Sequence, residues 1–201
     1  MKTIPTFWQP SFRICLVLVA VLLVPLAVHA ADPFNKQPMM SFSLGYGTAE
    51  TLDEIGWESG IVPGMRFLVP VSANWNVGGD MQGWTYLGSD DPRPQRNLFY
   101  LGPIVTWGKG RHGPFLGASL GFGHLIYEVY DTDGNRNKAS QGGWGFGFSA
   151  GWMFQTSDKF AIGPRLDYVY LDVGKPTVNY EQIDRVLEPQ LLTLAVAIEF
   201  P

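Results

Sequence analysis

Cysteine is almost absent from this chain. Among 201 residues there is one, Cys15, and it lies inside the apolar run 14–28. Beyond that run there is no thiol, which excludes a disulfide framework, a thiol nucleophile and a cysteine-ligated metal from the rest of the chain. Histidine is scarce too: beyond residue 30 only His112 and His124 remain. Charge is low, at 16%. Without Lys2 and Arg13 the count is 12 basic residues against 18 acidic, a formal charge of −6. That balance argues against a nucleic-acid partner. After Val28 no apolar run is long enough to cross a membrane as a helix.

The first 30 residues read as a cleaved secretory signal. Lys2 and Arg13 lead, 14–28 (ICLVLVAVLLVPLAV) is apolar, and Val28-His29-Ala30 offers small residues before a cut ahead of Ala31. The alternative is a membrane anchor, but about fifteen apolar residues fall short of the ~20 a helical span needs. Nothing around Cys15 forms a lipoprotein processing box. Residues 31–201 then amount to one domain.

Glycine (24) and aromatics (14%) are plentiful. Residues 142–172 show how they are used. Trp144, Phe146, Phe148, Ala150, Trp152 and Phe154 alternate with Gly145, Gly147, Ser149, Gly151, Met153 and Gln155. After the polar link 156–159, Phe160, Ile162, Pro164, Leu166, Tyr168 and Tyr170 alternate with Ala161, Gly163, Arg165, Asp167, Val169 and Leu171. A period of two means strands, and two such strands around a tight link make a hairpin. One face is too continuously aromatic for water; the other carries glycine, serine and charge. Strands of about ten residues divided in this way match a membrane-spanning barrel, apolar outside and polar inside.

Six more strands follow the same logic, at 39–47, 60–69, 72–87, 98–107, 114–129 and 189–200. Pro63 within the second predicts a bulge or local unpairing. The fold class expected is therefore all-β: an eight-stranded antiparallel up-and-down transmembrane barrel. Links two–three, four–five and six–seven are short; the other links are long and polar, including 131–141. Short periplasmic turns alternating with longer external loops fit an outer-membrane barrel. A soluble lipocalin-like barrel would put the greasy face inside. Here Arg66, Asp80, Gln82, Arg165, Asp167 and Glu199 fall on the glycine-rich parity, predicting a polar network in the lumen. Arg165 and Asp167, two residues apart, are expected to reach neighbouring strands rather than each other. Trp107, Trp144, Trp152, Tyr168, Tyr170 and Phe200 fall near strand ends, as interfacial aromatic girdles do.

The run PFLGASLGFG at 114–123 resembles the P-[FY]-x-G-A-x-x-G strand of small OmpA/OmpX-like and Opa-like outer-membrane barrels. Residues 150–172 resemble their penultimate hairpin. The last strand, ending in Phe200, resembles the C-terminal signal read by the barrel-assembly machinery, although Pro201 follows the aromatic. The resemblance implies a monomer in the cell outer membrane, in contact with outer-membrane lipids and lipopolysaccharide. It implies a non-catalytic, envelope-structural or surface-interaction role exerted through extracellular loops.

Two other functions are weighed against that one. The first is a narrow porin-like channel; an eight-stranded barrel is only just wide enough to be filled by its own side chains. The second is a lipid A-modifying enzyme, which needs a nucleophile and a base within hydrogen-bond reach. His112 falls in a short turn. His124 has no serine at the H-x-S spacing of lipid A deacylase barrels, so the sequence assembles no such pair, and no catalytic residue is expected. Residues 131–135 (DTDGN) begin like a calcium loop, but the glycine comes one position early and Gly142 stands where a glutamate is needed. No cofactor or metal is expected.

Overall fold

The computed structural model describes residues 37–50, 57–87, 96–108, 112–130, 136–175, 177–178, 181–182 and 188–201. The leading 30 residues, with their signal reading, lie outside it. Its strands are β1 (Met39–Glu50), β2 (Trp57–Pro70), β3 (Trp75–Tyr86), β4 (Arg96–Gly108), β5 (Gly113–Tyr130), β6 (Arg136–Gln155), β7 (Ala161–Asp172), β8 (Thr177–Val178), β9 (Glu181–Gln182) and β10 (Gln190–Phe200). Every pairing is antiparallel. Neighbours in sequence pair in space from β1 to β7, and β10 closes the ring between β7 and β1. Eight strands therefore form a closed barrel. The short β8 and β9 form a small ladder in the last long connection, touching β6 at Ala139↔Val178.

The alternation read from the sequence decides which way each side chain points. Leu194 is 65% exposed on the outside, whereas Thr193 beside it and Asp167 opposite Thr193 are each 1% exposed within. Phe146, Phe148 and Val196 are exposed; Arg66 and Arg165 are buried. From Pro114 to Phe122 the outward face of β5 is polar nowhere. The eight steps between these nine residues, at about 3.4 Å each and tilted by about 40°, make an apolar band roughly 21 Å tall, close to the ~25 Å of outer-membrane barrels.

Several boundaries differ from the sequence reading. β3 begins at Trp75, because Val71 and Ser72 both donate their N–H to the Trp75 carbonyl and close a turn there. Asn74, within the expected strand 72–87, is exposed in that turn. The predicted loop 131–141 shrinks, since β6 starts at Arg136 and pairs with β5 up to Tyr130. This hairpin stands above the apolar band, where strand residues have no need to be greasy, so polar composition misread it as loop. The remaining 131–135, with the calcium-like start, lies outside the described residues.

Pro63 unpairs its strand without a bulge. The β2–β3 register is continuous, yet the ladder skips Val62 and Pro63. Pro103 and Pro164 do the same to β4–β5 and β6–β7. Each proline keeps its other ladder, at Leu44↔Pro63, Gly79↔Pro103 and Val196↔Pro164. The ladder lost is the one that a missing N–H would have served. Gly163 beside Pro164 is glycine for a close approach: a Cβ there would come within 1.8 Å of the Trp152 carbonyl oxygen.

Candidate functional site

The lumen is layered, and the sequence reading captured one layer. Near the end that carries the β2–β3, β4–β5 and β6–β7 turns, Met39, Leu68 and Ile104 form a small apolar cluster; Met153, Ala161 and Ala197 form another, with Phe115 packed on it. Above them comes the charged layer. Arg66 and Asp80 stand directly opposite on β2 and β3. Arg66 donates from Nε to Oδ1 at 3.2 Å and from Nη2 to Oδ2 at 3.1 Å. Gln82 also donates to Asp80, at 3.1 Å. Asp167 lies 3.5 Å from Arg66 Nη2, bridging this pair to Arg165.

Arg165 and Asp167 do contact each other, contrary to expectation. Arg165 Nε donates to Asp167 Oδ2 at 2.6 Å, while Nη2 reaches past β10 to donate to Ser43 Oγ on β1 at 2.8 Å. Residues two apart on one strand share a face, and the flexible arginine stem folds back along it. Glu199 is buried lower down, lining a cavity with Arg66, Arg165, Asn76 and Thr106. All five ionisable members of the predicted network, and Gln82, are buried on the inner face. Burial of such charges is tolerated because they are paired and hydrogen-bonded.

Above the charges the interior turns apolar, which the sequence reading missed. Val62, Trp84, Leu98, Tyr100, Leu125, Tyr127, Val169, Leu171 and Leu191 form one contiguous buried cluster. Trp84 Nε1 donates to the Gly47 carbonyl at 3.3 Å, and Tyr100 Oη to Ser119 Oγ at 2.9 Å, so their polar ends are satisfied. The signal was available: Trp84 continues the parity of Asp80 and Gln82. At the outer mouth Arg96 is ion-paired with Glu58 and lies 5.1 Å over the Tyr86 ring. Among the described residues, these side chains pack into the lumen at this level.

On the outside, the residues expected in aromatic girdles lie at two levels. Trp107, Trp152 and Phe200 are exposed toward the short-turn end, joined there by Trp75, Phe154 and Phe160. Trp107 pairs with Trp75, and Phe200 meets Phe42 edge-on at 6.4 Å. Trp144, Tyr168 and Tyr170 stand toward the outer end, where Tyr170 stacks on Phe146 at 5.1 Å and Tyr168 donates to Gln190 at 2.9 Å.

The two histidines part company. His112 is exposed in the β4–β5 turn. His124 points outward from β5 just above Phe122, and its Nε2 lies 2.8 Å from Ser140 Oγ on β6. The premise that no histidine–serine pair can be assembled therefore fails. The two residues are 16 apart in sequence and meet only because β6 extends beyond its predicted start.

A closed ring of eight antiparallel strands, with an apolar outer band and enclosed charges, decides the fold. The chain has the fold of small outer-membrane barrels. Neisserial surface protein A is similar in structure at 14% sequence identity over 81% of this chain and 96% of that one, with a TM-score of 0.61. Ail, the attachment invasion locus protein of Yersinia pestis, is similar at 15% identity over 82% and 99%, with a TM-score of 0.54. Its complex with the heparin analogue sucrose octasulfate gives 16% identity, the same coverage of the two chains and a TM-score of 0.50. No protein-family model and no curated protein matches the sequence.

Proposed function

We propose that the protein is a monomeric barrel of the bacterial outer membrane whose interior conducts nothing and whose role is envelope-structural or surface-interacting. The observation that carries this reading is the apolar cluster around Trp84, Leu98 and Leu125, which fills the outer half of the lumen. A polar solute following the charged layer outward would have to displace packed aromatic and aliphatic side chains. Contacts with the cell's surroundings then fall to the outer wall and the loops, and contacts with lipid and lipopolysaccharide to the aromatic levels. Assembly by the barrel-assembly machinery through the strand ending in Phe200 belongs to the same reading.

Planar-bilayer recording of the folded protein tests it. The wild-type chain is expected to give no steady unitary current, and opening the plug with Trp84→Gly and Leu98→Gly together is expected to produce one. A steady wild-type current that Arg165→Ala abolishes would overturn the proposal in favour of a channel.

A further inference from the structure

The outer wall carries a second site, unrelated to the lumen. His124 and Ser140 both stand on the lipid-facing parity, in diagonal positions of β5 and β6: His124 is opposite Gly142, and Ser140 is opposite Ile126. Ser140 is exposed. Their 2.8 Å contact has the geometry of a nucleophile and its base. Directly below, Phe122 and Trp144 meet edge-to-face at 6.1 Å. The Phe122 ring leans over Gly142, where a Cβ would come within 2.3 Å of it. An apolar floor thus ends at the first polar position above the membrane band. That is the level at which an acyl chain gives way to its ester group.

We propose that His124 and Ser140 form an acyl-transfer site for a carboxylic ester of an outer-leaflet lipid, the acyl chain lying along Phe122 and Trp144. His124 takes the Ser140 hydroxyl proton at Nε2 as Oγ forms a bond to the ester carbonyl carbon. The tetrahedral species collapses by breaking the bond to the lipid alcohol, which leaves with that proton. Water then gives a proton to Nε2 and attacks the acyl-serine, releasing the fatty acid and restoring the hydroxyl. This inference rests on the membrane placement in the proposed function, and not on the closed lumen.

The full chain, folded into vesicles of phosphatidylethanolamine and lipopolysaccharide, provides the test. A fluorophosphonate probe is expected to label Ser140, with free fatty acid appearing by mass spectrometry. His124→Gln keeps a hydrogen-bonding side chain but no base, and is expected to lower both readouts about a hundredfold; Ser140→Ala should abolish both. The heat-dependent gel shift of each variant reports its folding, and loss of that shift in the wild type would strike at the barrel instead. A folded wild-type barrel with unlabelled Ser140, equal labelling of His124→Gln, or no fatty-acid release would overturn the proposal and leave a cross-strand hydrogen bond.

Discussion

Arg66 faces Asp80 directly across the β2–β3 ladder, and the two side chains join through a pair of hydrogen bonds of 3.2 and 3.1 Å. Both are buried. Such a pair is hard to break and easy to replace. Breaking it strands a charge with no water to receive it, whereas exchanging both partners for apolar groups removes the desolvation cost together with the attraction.

Arg66→Met alone should therefore cost about 3–5 kcal/mol, and Arg66→Met with Asp80→Met far less, near neutrality. Urea unfolding followed by tryptophan fluorescence in detergent micelles measures both. Equal losses in the single and double variants would contradict the paired-charge account.

The charged layer also needs room. A Cβ on Gly64 would lie 2.5 Å from Ser43 Oγ and 3.0 Å from Arg165 Nη2, whereas one on Gly79 would meet nothing within 4 Å. Gly64→Ala should destabilise by about 1–3 kcal/mol through overpacking. Gly79→Ala should be neutral or slightly stabilising, since alanine loses less backbone freedom on folding. The same unfolding experiment distinguishes them.

Much of this was legible in the sequence, because a period of two survives in every barrel strand. Which residues face outward followed from parity alone, as did the inward place of Arg66, Asp167 and Glu199. Two things were not legible. The apolar upper lumen breaks the rule that the inside is polar: Trp84 and Leu98 sit on lumen parity, so composition by face hides them. The His124–Ser140 contact depends on register and on the height of the β5–β6 hairpin. Alternation within one strand carries neither.

On the outer face, Val196 lies near the middle of β10, opposite Leu44 and Pro164. In a bilayer Val196→Arg should cost about 2–4 kcal/mol. A water-exposed position would tolerate the change within about 0.5 kcal/mol. Refolding equilibria in phospholipid vesicles supply the number, and a neutral result would remove lipid from the outer face.

Pro103→Ala returns a donor to the ladder interrupted between β4 and β5. Recovery of one hydrogen bond should add about 0.5–1.5 kcal/mol. Strong protection of the new amide at position 103, facing the Leu120 carbonyl, would report it, and rapid exchange there would show that the gap has another origin.

The central claim, oily side chains toward lipid and charges enclosed, has one direct test. With Cys15→Ser the chain has no thiol, so single cysteines can be placed from position 191 to 198 and labelled with a fluorophore in vesicles. A quencher carried on lipid chains should silence labels at Leu192, Leu194, Val196 and Ile198 and spare those at Leu191, Thr193, Ala195 and Ala197. Quenching with the opposite alternation, or with none, would contradict the account.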